Sequence, residues 1–138
     1  MYITRETDYA IRCMLALSKE PHRIISASEI SESMHIPRSF LAKILRRLSR
    51  KGMLRSTQGV KGGFQLSKKP KEINLLEVIE AVQGPSAMNI CAIDKHICSL
   101  SGTCTVHPIW VKLRSEVERK LRRENFAKLA ASRKPSPF

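Results

Sequence analysis

Apolar positions along the chain keep two different rhythms, and the changes between them lay out the elements. Ala10, Cys13, Met14 and Leu17 recur at helical spacing and predict an amphipathic helix over about residues 5–19, with Thr4 placed to cap it. His22-Arg23 lies in a short connection, and Ile24-Ile25 suits a brief strand. Ser26-Ala27-Ser28-Glu29 has the form of a capping box, opening a short helix with Ile30 and Met34 turned inward. His35-Ile36 makes a turn. Pro37 falls in the first turn of the next helix, where its missing N–H costs nothing. Leu41, Ile44, Leu45 and Leu48 form that helix's buried stripe, and Gly52 ends it.

Beyond Gly52 the rhythm shortens. Leu54–Thr57 and Gly63–Leu66 read as strands joined by Gly59-Val60-Lys61-Gly62, whose glycines supply the positive φ of a hairpin tip. Ser67–Lys71 is a loop. Asn74 with Glu77 is a second cap pair, before a helix with Leu75, Val78, Ile79 and Val82 on one face. Gln83–Ser86 breaks the chain, and residues 87–106 show no clear periodicity. Pro108 starts a long helix, reaching about Leu129, with the stripe Trp110, Leu113, Val117 and Leu121. Ser132–Phe138 has two prolines and little to bury, and disorder is expected there. The expected fold class is mainly α with a small β-hairpin wing. Residues 1–83 form a winged helix-turn-helix, 84–107 a cysteine-containing loop, 108–131 a dimerisation helix and 132–138 a tail.

Charge narrows the partner. The chain has 138 residues, with 25 Lys+Arg against 12 Asp+Glu, a formal +13. Such an excess favours nucleic acid or an anionic membrane surface. From Ser33 to Lys71 there are eleven basic residues and no Asp or Glu. A solvated face normally mixes signs. Membrane binding calls for a basic amphipathic helix with large apolar anchors, whereas here the charges cover a helix and then a Gly-rich segment. No apolar run reaches membrane-spanning length, and the N-terminus MYITRETDY lacks a signal-peptide core, so a cytoplasmic location and no membrane partner are expected. No general acid or base is grouped with a substrate pocket, so an enzyme is not expected.

In a winged helix-turn-helix the second helix enters the major groove. With its apolar stripe buried, Arg38, Ser39, Lys43, Arg46 and Arg47 fall on or beside the open face. Arg38, Ser39 and Lys43 are assigned to base edges or nearby phosphates, and Arg46 and Arg47 to phosphate clamps. Ser28 and the N–H groups of its helix suit a phosphate. At the wing, Gln58 and Lys61 flank glycines that let the backbone approach the duplex, and Arg55 supports the wing or touches phosphate. One such unit covers little DNA. A homodimer on a pseudo-palindromic double-stranded operator is the usual solution, with half-sites about 10 base pairs apart or multiples of that.

Cysteine usage adds a second site. Cys13 lies on an apolar stripe and reads as a core thiol. Cys91, Cys98 and Cys104 stand apart, followed closely by His107. A disulfide framework is out of place in the cytoplasm. Short C-x2–4-C pairs typical of structural zinc are absent. Wider spacing suits a loop wrapped round a larger object such as an iron–sulfur cluster. Spacing alone leaves cluster, zinc and thiol switch open.

Several segments together resemble one family over nearly the whole chain. They are Tyr9-Ala10, Ser31-Glu32, Ser39-Phe40-Leu41, Leu48-x-x-Lys51-Gly52-Met53-Leu54, Gly59-x-x-Gly62-Gly63-Phe64-x-Leu66 and Val78-Ile79-x-Ala81-Val82, with the three-cysteine loop after them. The chain resembles the bacterial winged-helix iron–sulfur transcription regulators of the IscR, NsrR and RirA type (the Rrf family). The resemblance implies a homodimer, a repressor, with a cluster on each subunit near the dimer helix, whose state alters DNA affinity. It assigns Cys91, Cys98 and Cys104 as ligands. His107 matches the histidine ligand of the IscR-type 2Fe–2S site. Asp8 matches the carboxylate that NsrR-like members supply from the other subunit to a 4Fe–4S cluster. One extra residue between the first two cysteines departs from the IscR pattern, so both cluster types stay open. His96 is read as a solvated loop histidine rather than a ligand. The alternative is a cluster-free regulator using thiol redox or zinc.

Overall fold

The computed structural model describes residues 1–132, so the expected disorder of the tail falls, beyond Ser132, outside the described residues. The elements run α1 (Arg5–Lys19), α2 (Ala27–Met34), α3 (Arg38–Arg50), β1 (Leu54–Thr57), β2 (Gly63–Leu66), α4 (Leu75–Gln83), α5 (His107–Arg122) and α6 (Phe126–Ala131). Caps set most boundaries. The Thr4 side chain accepts from the Thr7 N–H, Ser26 from Glu29, and Asn74 from Glu77. The Asn74–Glu77 pair is reciprocal, a full capping box, whereas at α2 only the Ser26 half is formed.

The turn between α2 and α3 places His35 in the left-handed region, φ 53°, and its successor Ile36 in the core. Pro37 stands one position earlier than expected. It is the residue before α3, and its carbonyl accepts from Phe40 and Leu41. At the other end Gly52, φ 76°, closes α3 in a Schellman arrangement: its N–H reaches Ser49 and that of Met53 reaches Leu48.

β1 and β2 pair antiparallel, Leu54 opposite Leu66 and Thr57 opposite Gly63. Ile25 adds one bridge to Phe64, with bonds of 2.9 and 2.8 Å. The tip glycines do different jobs from those expected. Only Gly59 has a positive φ, 105°. Gly62 and Gly63 are needed for space: a Cβ there would strike the carbonyls of Thr57 and Ile25. Within the expected loop, Pro70–Glu72 forms a single 3-10 turn.

The core joins α1, α2, α3, the hairpin base and α4 around Met14, Leu17, Ile30, Leu41, Leu48 and Val78. Each such side chain, fully buried, contributes roughly 1.5–3 kcal/mol. Leu76, not placed on the inward face of its helix from the sequence, is buried as well. One expectation fails here: the helix from Pro108 to about Leu129 is two helices. Arg123 keeps helical dihedrals past Arg122, the chain is extended at Asn125, which caps a new helix, and residues 124–126 bond to residues 73–75. Phe126, fully buried, carries α6 back against α1. The burial of that ring outweighs continuation of a helix whose next turns would project into solvent. The winged unit therefore draws on residues 126–131 as well as 1–83. Between these anchors α5 buries no residue fully, and Ile109, Val111 and Val117 are exposed.

Candidate nucleic-acid interface and cysteine loop

The buried stripe of α3 fixes what its opposite face presents. Leu41, Ile44, Leu45 and Leu48 point to the core. Ser39, Lys43, Arg46 and Arg50, at steps of four, three and four residues, share the opposite face, and all are exposed. Arg50 belongs to this row although it was not among the expected contacts; its spacing from Arg46 was the available signal. Arg38 and Ser28 meet across the helix-turn-helix, guanidinium Nη1 donating to Oγ at 2.5 Å. That bond lines up the starts of both helices.

The hairpin extends the surface. Ala42, Arg46, Ser49 and Arg50 of α3 face Ser56 and Gln58 of the wing across a groove of about 580 Å³. Gln58 and Lys61 are exposed at the tip. A rigid basic helix beside a basic hairpin offers donors to phosphates and to base edges.

Two expected contacts are elsewhere. Arg47 lies round the helix from Arg46, and its Nη1 donates to the Val82 carbonyl at 2.7 Å and sits 3.3 Å from the Glu6 carboxylate. It fastens α3 to α4 and α1 and is not a free clamp. The attraction to Glu6 is loose: that oxygen is buried and makes no hydrogen bond. Arg55 projects from the side of the hairpin away from α3, beside Gln65 and Lys68.

The thiols fall into two environments. Cys13 is fully buried, and burial pushes its thiol up to about 12. Cys91 and Cys104 are half-buried, and Cys98 is exposed. Two single 3-10 turns, Ile90–Ala92 and Lys95–Ile97, shape the loop. His107, the first residue of α5, sets its Nδ1 3.2 Å from Cys91 Sγ. Arg114, one helical stretch on, donates to the Ala92 carbonyl at 2.7 Å and to Glu118 at 2.8 Å. Two contacts thus dock the first cysteine onto α5. Cys98, His96 and His107 line one surface hollow of about 390 Å³.

Among the described residues, no three His, Cys, Asp or Glu side chains converge in metal-binding geometry. The donor chemistry nonetheless fits a thiophilic metal group: three thiols and one ring nitrogen in a single loop and the helix turn behind it, one pair already touching. Asp8 is engaged within its own helix, 2.8 Å from the Arg12 guanidinium, which also reaches the Met34 carbonyl and lies over the Tyr9 ring.

Comparison with known proteins gives the family and the fold. The family described as "Rrf2: Iron-dependent Transcriptional regulator" matches residues 3–132. The transcriptional regulator NsrR of Shouchella clausii is 29% identical over 106 residues, covering 75% of this chain and 71% of its own. CymR, the global cysteine regulator of B. subtilis, superposes with a TM-score of 0.78 at 20% identity, covering 95% of this chain and 97% of CymR. T. potens IscR gives a TM-score of 0.73 at 18% identity, covering 94% of this chain and 85% of IscR.

Proposed function

The chain belongs to the Rrf2 family of transcriptional regulators, and on that premise we propose that it is a homodimeric, sequence-specific DNA-binding repressor whose grip is set by an iron–sulfur cluster. The observation that carries the DNA part is the row Ser39, Lys43, Arg46 and Arg50 opposite the buried stripe of α3, beside the wing groove. Ser39 and Lys43, near the start of the helix, meet base edges. Arg46 and Arg50 take the flanking phosphates, and Arg38 acts with Ser28. Lys61 and Gln58 follow the backbone at the wing tip.

The cluster is assigned to Cys91, Cys98, Cys104 and His107. When bound it supplies a centre that responds to redox state, iron supply or small reactive gases. The rest is done by the chain. His107 and Arg114 join the loop to α5, and the exposed apolar side chains of α5 suit a partner subunit. Loop position and the spacing of the two reading heads are thereby coupled, which is what an allosteric link between two sites requires. Anaerobic spectra of His107→Ala and Asp8→Ala separate the ligands: the first is expected to alter the cluster's absorption and the second to leave it unchanged. The reverse result would move the fourth ligand to the partner's first helix.

The DNA reading is tested by operator selection. The wild type is expected to prefer its selected duplex over unrelated DNA by about 10³ or more. Equal affinity for unrelated duplexes would overturn it. A cluster-free thiol switch is the second reading, favoured by the exposure of Cys98. Operator release on oxidation of a protein without iron would select it, and zinc analysis of the same sample covers the metal alternative.

A further inference from the structure

The strand register pairs Arg55 with Gln65 and Ser56 with Phe64, so the two pairs project from opposite faces of the hairpin. The inner face closes the groove beside α3. The outer face belongs to a separate hollow of about 580 Å³, floored by Pro21 and Pro70 and rimmed by Arg55, Lys68, Lys69 and Lys71. All four cations are exposed, and among the described residues none is paired with a carboxylate. The one carboxylate in the hollow, Glu72, accepts from the Lys69 backbone N–H at 3.2 Å. The lysines do not sit on a slack loop. The Pro70–Glu72 turn follows Lys68 and Lys69 and contains Lys71, and Ser67 is bonded through both its N–H and its hydroxyl to the turn after α3, at Met53 and Gly52.

We propose that this outer wing face is a second phosphate-binding surface, gripping the DNA backbone beyond the stretch read by α3 and the wing tip. It rests on the DNA-binding reading above. Four like charges held together on β1 and on the ordered segment after β2 repel one another, and a polyanion relieves that repulsion. A duplex lying along α3 and the hairpin continues past the hairpin, where the outer face is the next surface it meets. The lysine ammonium groups of the rim match phosphates, contacts that carry no sequence information directly and weaken with salt, while Gln65 and His22 also line the hollow.

Two duplexes with the same operator test this with the full chain, one trimmed to the protected stretch and one longer by about ten base pairs on each side, roughly one helical turn. The wild type is expected to bind the longer duplex more tightly, with a log affinity–log salt slope steeper by about 2–3. The variant Lys68→Gln/Lys69→Gln/Lys71→Gln is expected to keep the wild-type melting temperature and trimmed-duplex affinity, and to gain nothing from the extension. Retention of the full gain would overturn the proposal and leave the patch to an acidic protein surface. An equal loss on both lengths would also overturn it, because the lysines would then lie within the operator footprint. A wild type that bound neither duplex would defeat the DNA reading itself.

Discussion

Arg46 and Arg47 are neighbours in sequence with opposite duties. Arg46→Ala removes an exposed cation beside the wing groove. It is expected to lower the salt slope of operator binding by about one and leave the melting temperature unchanged. Arg47→Ala removes the bond to Val82 and leaves the Glu6 oxygen buried without its counter-charge. The expected loss is about 1–3 kcal/mol of stability in denaturant titration, with the salt slope intact. Cysteine chemistry divides in the same way. Burial holds the Cys13 thiol protonated up to about 12. Native protein stripped of metal is therefore expected to alkylate at Cys91, Cys98 and Cys104, with Cys13 reacting only after unfolding, as mass spectrometry would count. The sign of the linkage follows: an unfolded thiol ionises near 9.0 and the folded one does not, so this group's contribution to stability falls as pH rises from about 9 to 12.

At the level of elements, the return of α6 makes the sharpest prediction. Phe126→Ala is expected to cost about 3–5 kcal/mol, because the ring is fully buried against α1. A loss below 1 kcal/mol would mean that α6 is not docked. At the wing, Gly63→Ala forces a Cβ into the Ile25 carbonyl and is expected to lower the melting temperature by several degrees. The two helices of the reading motif, both strands and the α4 capping box were legible in the sequence because local chemistry sets them: side-chain caps at α2 and α4, a Schellman glycine after α3, and glycines at the hairpin tip. The break after Arg122 was not legible. Arg122-Arg123-Glu124 are good helix formers with no Gly or Pro among them, and what ends the helix is distant, the backbone of residues 73–75 and the pocket for Phe126. Only Asn125, a preferred cap residue, marked the place. In the site, the basic character of α3 was plain, but which arginines reach outward was settled by the packing of α1 and α4 around Arg47. The cysteine spacing set three thiols apart in one loop, but only folding brings Cys91 against His107.

At the scale of the whole molecule, α5 stands between a DNA-reading head and a thiol-rich loop with its own apolar side chains exposed. On the proposed dimer, Val111→Glu/Val117→Glu is expected to yield monomers in analytical ultracentrifugation and to weaken operator binding by at least tenfold, while each head stays folded. No helix among the described residues is long and apolar enough to cross a membrane. The central proposal is that the loop controls the grip. Its most direct test is operator affinity measured anaerobically on one preparation, first with the cluster reconstituted and quantified by iron and sulfide, then after its removal by chelation. An affinity that changes by tenfold or more between the two states, and a Cys98→Ser variant locked at the cluster-free value, is the expected result. A colourless protein whose affinity is the same before and after reconstitution would contradict it.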